Sequence, residues 1–287
     1  MTMVPNQKRL DEFLVRLCEG YGQLFEFRKA GMATAMHFSE LDRKSRAQMY
    51  TAYSRFEYEK TDRFLARFPN PPKLEGKRVL DFGCRNGGAV VRYAMLGATE
   101  VIGLDVDADM FPPARDLARE FHVADKIDFR VSNDETLPVE SGSIDIVLTE
   151  DVMEHVRNPE TMLRELMRVL KPGGGLYSRF GPMWLHPHGV HLWDVFPGPW
   201  THVLFPERIV CAVRGRQKRD ARDAQSYSEV YLNQMTVKRF KDLVRTSGFE
   251  IEYLRVAGIY GADALAKLPV IGEYFSSEAE TVLRKPG

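Results

Sequence analysis

The sequence predicts an α/β protein built on a mostly parallel, seven-stranded sheet with helices on both faces. Three observations lead to this fold class. Short apolar runs alternate with helical patterns between about residues 77 and 180, as expected for a parallel sheet with crossover helices. The first of these runs ends in a glycine-rich turn, and the proline-rich segment 69–72 separates the alternating region from a polar N-terminal part.

The predicted strands are short runs rich in β-branched and other apolar residues, and the helices between them have a helical apolar period. The strands are expected at 77–83, 101–105, 127–131, 144–149, 176–180, 249–256 and 280–283. The helices are expected at 89–96, 110–121, 160–170 and 236–247, with further helices within 7–69. Thr236 and Gly248 are suitable as the N-terminal cap and the C-terminal stop of the last helix.

This order of elements predicts one core with additions before and after its fifth strand. The segments are a helical N-terminal cap at 1–72, a ligand-binding core at 73–181, an inserted lid at 182–234, and a C-terminal part at 235–287 that completes the core.

Composition argues against several classes of protein. Lys and Arg number 40, as do Asp and Glu, so no overall basic field favours nucleic acid. The three cysteines form no CxxC pair, which favours a reducing compartment over a disulfide framework. Neither an apolar leader nor a run of about 18 apolar residues is present, so we expect a cytoplasmic protein without a membrane partner.

The glycine-rich turn after the first strand predicts a particular ligand. Its glycines are Gly83, Gly87 and Gly88, and Asp81 precedes them. A GxGxxG turn would place a pyrophosphate at the helix start, whereas an acid beside the turn favours a cationic group. Asp105 follows the second strand, 22 residues after Gly83, where a carboxylate binds ribose hydroxyls. The expected ligand carries a ribose and a positive charge but no phosphate.

Four motifs in sequence order resemble the class I S-adenosylmethionine-dependent methyltransferase family: VLDFGCRNGG, VIGLDVD, SIDIVLTEDVMEHVRNP and LKPGGGLYSRF. They are most similar to the small-molecule branch typified by ubiquinone and menaquinone biosynthesis methyltransferases. The resemblance spans about residues 77–180. It implies a Rossmann-like sheet, S-adenosylmethionine as the methyl donor and S-adenosylhomocysteine as the product.

The resemblance also implies a set of donor-binding residues. Those near the methionine end are Asp81, Gly83, Cys84, Arg85, Gly87 and Glu150. Those near the nucleoside end are Asp105 for the ribose, Val106 beside the adenine, and Asn133 or Asp134 at the adenine amino group. Arg85 departs from the family, which usually has a glycine there, so its side chain is expected to point away from the donor.

The segment 181–205 directly follows the fifth strand and holds four of the seven histidines and all three tryptophans. Ligands of open α/β sheets bind beyond the carboxyl ends of the strands, so this segment is expected to cover the acceptor. The candidate substrate-binding residues are Trp184, Trp193, Trp200 and Tyr53. The candidate bases are His186, His188 and His191, with Asp194 to orient one of them. His191 is preferred, because Asp194 lies one helical turn further on.

Two other interpretations of the same segment stay open at this point. In the first, the three histidines are ligands of a metal ion, although no fourth ligand with suitable spacing follows and no metal is expected. Alternatively, the aromatic rings form a core and the histidines make structural hydrogen bonds.

The expected function is methyl transfer to an oxygen or nitrogen of a small molecule, with carbon as a further candidate acceptor. One alternative is an RNA or protein methyltransferase that binds through the basic segment 214–222, although such runs are most often solvated loops. The other is a non-catalytic module that binds S-adenosylmethionine.

Overall fold

The computed structural model describes residues 5–25, 43–133, 135–191, 195–217, 224 and 226–287. The helices are α1 (Pro5–Gln23), α2 (Arg43–Leu65), α3 (Gly88–Met95), α4 (Phe111–Glu120), α5 (Pro159–Val169), α6 (Thr201–Leu204), α7 (Glu207–Gln217), α8 (Val237–Ser247) and α9 (Asp263–Ala266). The strands are β1 (Arg78–Phe82), β2 (Glu100–Asp105), β3 (Ile127–Val131), β4 (Ile144–Glu150), β5 (Leu170–Phe180), β6 (Glu250–Gly258) and β7 (Ser276–Arg284).

The strands form one seven-stranded sheet in the order β3-β2-β1-β4-β5-β7-β6. The pairs from β3 to β5 are all parallel, whereas β7 runs antiparallel to β5. This confirms the predicted mostly parallel α/β sheet. The carboxyl ends of β1, β2 and β4 therefore meet at one edge, which is where ligands of such sheets bind.

The central strands are apolar along their length because both faces of the sheet are covered. Val79 and Leu80 of β1 are fully buried, as are Ile102 of β2 and Leu148 of β4. The helix after β4 begins at a side-chain cap, since Asn158 Oδ1 accepts a hydrogen bond from the backbone N–H of Thr161 at 3.2 Å. Runs of apolar residues and a local cap thus explain why the central strands and the helix after β4 could be predicted from the sequence.

The chain forms two compact units. The sheet unit consists of residues 41–180, 238–255 and 279–287. The aromatic unit consists of residues 1–40, 181–237 and 256–278. The two helices of the predicted N-terminal cap belong to different units, α1 to the aromatic unit and α2 to the sheet unit. The predicted segment boundaries remain predictions.

The aromatic unit has a core of its own, in which Val15 and Cys18 of α1 pack with Val190, Ile209 and other buried residues. It contains α6 and α7, which we did not predict from sequence. The start of the basic segment 214–222 is part of α7, and its remainder from residue 218 lies outside the described residues.

Within the described ranges, no helix has both the length and the apolar character needed to cross a membrane.

Candidate functional site

The loop between β1 and α3 requires two of its glycines. Gly83 and Gly87 have φ angles of 80° and 65°, in the left-handed region that favours glycine. A Cβ atom at Gly83 would lie 2.3 Å from Val152 Cγ2, and one at Gly87 would lie 2.7 Å from the ring of Phe129. Both positions therefore need glycine for backbone conformation and for space.

Asp105, at the end of β2, is fixed against this loop by two backbone groups. Its Oδ2 accepts a hydrogen bond from the N–H of Arg85 at 2.8 Å, and its Oδ1 accepts one from the N–H of Asp107 at 3.1 Å. A carboxylate oxygen can accept more than one hydrogen bond, so both oxygens retain capacity for ligand hydroxyls.

Arg85 has a φ of 47°, which explains why related sequences would have glycine at this position. Its guanidinium donates to the hydroxyl of Tyr53 on α2 at 3.1 Å and to the carbonyl oxygen of Asp151 at 3.0 Å. The loop backbone thus keeps its contact with Asp105, while the long side chain connects α2 to the segment after β4. Tyr53, which we proposed as a substrate contact, is the partner of this guanidinium.

One face of α2 supplies two further polar contacts that sequence reasoning did not identify. Glu57 Oε2 accepts a hydrogen bond from the N–H of Gly88 at 3.3 Å. Lys60 Nζ lies 2.9 Å from Glu150 Oε2, at the end of β4. A Cβ atom at Gly88 would lie 1.8 Å from the backbone oxygen of Ser54, so α2 packs directly on the start of α3.

This edge of the sheet unit holds more acids than bases. Asp81 and Glu57 are each 5% exposed. Burial raises the pKa of Asp81 well above its usual range. Three neighbouring acids raise that pKa further: Glu57, Glu150 and Asp105.

Glu57 titrates near neutral pH. Burial raises its pKa to about 7, although Arg85, the N–H of Gly88 and Lys60 oppose the rise. Burial also acts on Lys60, where it would lower the pKa, but the carboxylate of Glu150 outweighs it and the pKa of Lys60 is raised. The site therefore holds carboxyl groups whose charged form a bound cation would stabilise.

Cys84 is buried and does not act as a nucleophile here. Burial, and after it the charges of Asp81 and Asp105, raises the pKa of its thiol well above the usual range. Its contribution to the loop is the backbone, where its N–H donates to the carbonyl oxygen of Leu104 at 2.8 Å.

The raised pKa of Glu57 predicts that replacing this residue with a neutral side chain stabilises the fold at high pH, where the buried glutamate would be charged. The folded state binds the proton of Glu57 more tightly than the unfolded chain does. This contribution to stability is therefore complete below the ordinary pKa of 4.5 and is lost as the pH rises to about 7. Glu57→Gln should raise the free energy of unfolding by up to about 3 kcal/mol at about pH 8, at ~1.4 kcal/mol per pKa unit.

Thermal or urea unfolding at about pH 4.5 and about pH 8 checks this prediction. Glu59→Gln, on an exposed position of the same helix, is the matched control and should change stability by less than about 0.5 kcal/mol. A Glu57→Gln protein that is destabilised equally at both pH values would contradict the burial argument.

The residues predicted to bind the adenine differ in the exposure of their side chains and in their capacity to accept a hydrogen bond. Val106 is 59% exposed, which leaves its side chain accessible to a flat ring. Asn133 Oδ1 already accepts hydrogen bonds from the N–H groups of Glu135 and Thr136, at 2.9 and 2.8 Å. An adenine amino group needs an acceptor, so Asn133 is poorly suited to it. Asp134, the alternative, lies outside the described residues.

The candidate bases in the aromatic unit differ in burial. His186 and His188 are 8% and 3% exposed, and His186 Nδ1 accepts a hydrogen bond from the N–H of His188 at 3.1 Å. Burial, followed by His188 and His202, lowers the pKa of His186 to about 4, so it is a weak base at neutral pH. His191 is half-buried, with Nε2 at 3.1 Å from the oxygen of Pro182.

The helical turn expected from His191 to Asp194 does not begin at His191, whose φ is 62°. Residues 192–194 lie outside the described residues, so the orienting role of Asp194 and the pocket role of Trp193 stay predictions.

The two described tryptophans make contacts within the aromatic unit. Trp184 packs edge-on against His202 and Tyr227, with ring centroids 4.6 and 4.7 Å away. The indole N–H of Trp200 donates to the carbonyl oxygen of Leu185 at 3.0 Å. Both rings are half-buried, so part of each surface remains accessible.

Comparisons with known proteins agree with the geometry of the sheet unit. The family described as "Methyltransferase domain" matches residues 80–178. The chain is similar to norajmaline N-methyltransferase from Rauvolfia serpentina, at 32% identity over 38% of this chain and 37% of that protein. It is also similar to a ubiquinone biosynthesis O-methyltransferase from Xanthomonas oryzae, at 39% identity over 36% of this chain and 43% of that protein. The matched part thus spans well under half the length of these relatives.

Solved structures share the fold at low sequence identity. A geranyl diphosphate methyltransferase in complex with S-adenosylmethionine has a TM-score of 0.55 at 14% identity, covering 87% of this chain and 94% of that one. The [4+2]-cyclase SpnF has a TM-score of 0.52 at 19% identity, covering 80% of both chains. Residues 80–178 thus resemble a methyltransferase domain in sequence, and the solved structures share the fold of the chain.

Proposed function

We propose that the sheet unit binds S-adenosylmethionine as methyl donor and is left with S-adenosylhomocysteine as product. The observation that carries this proposal is the set of buried or half-buried acids around a glycine loop, with Asp105 at the end of β2. A donor with a sulfonium, an ammonium group and a ribose matches that site, because its charges compensate the acids and its hydroxyls can bind Asp105.

In the proposed site, the loop and the ends of the neighbouring strands have separate roles. Asp81 and Glu150 face the methionine end, where their charge favours the amino group. Gly83 and Gly87 let the backbone approach the ligand, and Asp105 holds the ribose. Val106 packs beside the adenine. The relative with a solved donor complex supports the identity of the donor.

The proposed acceptor is a small molecule that is methylated on oxygen or nitrogen. Two relatives with these acceptor atoms support this class, one an N-methyltransferase and the other an O-methyltransferase. The donor supplies an activated methyl group, so the protein has to align the acceptor and exclude water. Such alignment is worth ~7–11 kcal/mol of the barrier in favourable cases. The acceptor atom must also lose its proton, and we assign His191 as the base.

His191→Ala should lower turnover by about 100-fold or more, within the range for loss of a general base, while donor affinity changes little. The reason for choosing His191 is its half-buried position, whereas His186 and His188 are buried. Single-turnover rates and donor titrations of the three His→Ala variants separate the two effects. If His186 or His188 proves to be the residue whose loss slows transfer without loss of folding, the assignment is wrong.

The experiment that tests the proposed function uses methyl-labelled S-adenosylmethionine and a cell extract divided into small-molecule, RNA and protein fractions. Label in the small-molecule fraction supports the proposal and yields a compound to identify. Label in RNA or protein contradicts the acceptor class and directs attention to the basic segment 214–222. A titration with unlabelled donor is run in parallel, and absence of binding would contradict the donor assignment itself.

A further inference from the structure

Helix α2 contacts the proposed donor site through one polar face. Tyr53, Glu57 and Lys60 follow each other at spacings of four and three residues, so they lie on the same side of the helix. Tyr53 bonds Arg85 in the loop after β1, Glu57 bonds the N–H of Gly88 at the start of α3, and Lys60 pairs with Glu150 at the end of β4. Each side chain thus reaches a different segment around the glycine loop.

Glu57, the carboxylate on this face, has a backbone group as its hydrogen-bond partner. Its bonded partner in the described structure is a backbone N–H, at 3.3 Å. The two nearest cations have their own partners: Lys60 pairs with Glu150, and Arg85 bonds Tyr53 and the carbonyl oxygen of Asp151. The buried carboxyl of Glu57 therefore lies beside the proposed donor loop and forms no salt bridge with any residue that the structure describes.

We propose that Glu57 is a charge-sensing positioning residue, ionised when the sulfonium donor is bound and protonated when the thioether product is bound. The proposal rests on the proposed function. The pKa of Glu57, raised by burial to about 7, allows this proton to be exchanged near neutral pH. When the neutral product is bound, protonation of Glu57 removes a buried negative charge that the product cannot compensate.

The charge balance of the reaction shows why such a group is useful. The bond between sulfur and the methyl carbon breaks, and its electron pair stays on sulfur, which becomes neutral. The bond between the acceptor and the methyl carbon forms, and the acceptor's proton leaves. The donor pocket thus loses one positive charge in each turnover, and Glu57 can follow by taking up a proton.

Other ionisable groups face Glu57 or share its electrostatic environment. The cations are Arg85 and Lys60, the acids are Glu150, Asp81 and Asp105, and the remaining groups are Cys84 and Tyr93. Burial, followed by Asp81, Glu150 and Glu57, raises the pKa of the Tyr93 phenol well above its usual range. Burial also raises the pKa values of Asp81 and the Cys84 thiol well above their usual ranges.

The test compares the affinities of S-adenosylmethionine and S-adenosylhomocysteine by calorimetry at about pH 6 and about pH 8. For the unchanged protein, the ratio of donor to product affinity should rise by up to about 100-fold over this range. Donor affinity follows the ionised fraction of Glu57, which rises about tenfold, and product affinity follows the protonated fraction, which falls about tenfold. For Glu57→Gln the ratio should stay constant. Glu59→Gln, exposed on the same helix, should behave like the unchanged protein.

Each outcome bears on a different claim. If neither ligand binds at any pH, the proposed donor site is wrong. If both bind but their affinity ratio is independent of pH in the unchanged protein, or varies equally in Glu57→Gln, the charge-sensing role of Glu57 is wrong. Should Glu57→Gln fail to fold, proton release on donor binding by the unchanged protein, measured in two buffers of different ionisation enthalpy, decides the matter in its place.

Discussion

Asp105→Ala is expected to weaken binding of S-adenosylmethionine by at least about 100-fold while the protein stays folded. The carboxylate already accepts one backbone hydrogen bond on each oxygen, from Arg85 and Asp107. A ribose would add two hydroxyl donors, and each hydrogen bond to a charged group contributes about 1.5–3 kcal/mol. At ~1.4 kcal/mol per tenfold change in affinity, losing both corresponds to ~10²–10⁴.

The matched control for this variant is Asp107→Ala. Asp107 Oδ1 also accepts a local backbone hydrogen bond, from the N–H of Asp109 at 3.0 Å, but it has no assigned contact with the donor. Its donor affinity should change less than about threefold, which is under 1 kcal/mol. Equal affinities of the Asp105→Ala protein and the unchanged protein, in a titration with adequate folded material, would refute the ribose assignment.

The sequence was sufficient to predict the sheet because its signals are local. β1, β2 and β4 are buried on both faces and are therefore rich in apolar residues, and a glycine marks the turn that follows β1. The same holds for the loop from Gly83 to Gly87, where left-handed backbone conformation and lack of space both require glycine.

The role of α2 could not be predicted in the same way. Its buried face carries polar side chains at positions 53, 57 and 60, so the sequence pattern resembles that of a solvated helix. Only contact with distant segments shows that Glu57 is buried, since no local pattern marks the partner at Gly88. In α1 the helix was predictable but its buried face was not: Leu10 and Phe13 are 48% and 60% exposed, while Val15 and Cys18 are buried.

Arg85, which stands where the resembling family usually has glycine, is stabilised by neighbours that are distant in sequence. Arg85 adopts the left-handed conformation that glycine would adopt freely, at a cost of about 1–3 kcal/mol. Its hydrogen bonds to Tyr53 and to the carbonyl oxygen of Asp151 offset part of that cost. Asp151 also has a positive φ, of 56°, and its carboxylate pairs with Arg179. These bonds hold the donor loop, α2 and the segment after β4 together.

Gly88→Ala should be the most destabilising single methyl addition in the sheet unit. Gly88 is the first residue of α3, and alanine is the better helix former, so propensity alone would favour the substitution. The added Cβ atom would, however, lie 1.8 Å from the backbone oxygen of Ser54. Because that oxygen belongs to the backbone of α2, a side-chain rotation cannot relieve the contact, and the two helices must move apart.

Overpacking of this kind costs about 1–3 kcal/mol and at times more, and we expect the upper end. That corresponds to a fall in Tm of roughly 6–12 °C for a chain of this size. Donor affinity should fall as well, because the N–H of Gly88 would lose its bond to Glu57. Gly20→Ala in α1, where a Cβ atom has no neighbour within 4 Å, is the matched control and should raise stability by about 0.5–1 kcal/mol. A Gly88→Ala protein that keeps both the Tm and the donor affinity of the unchanged protein would show that α2 does not hold the start of α3.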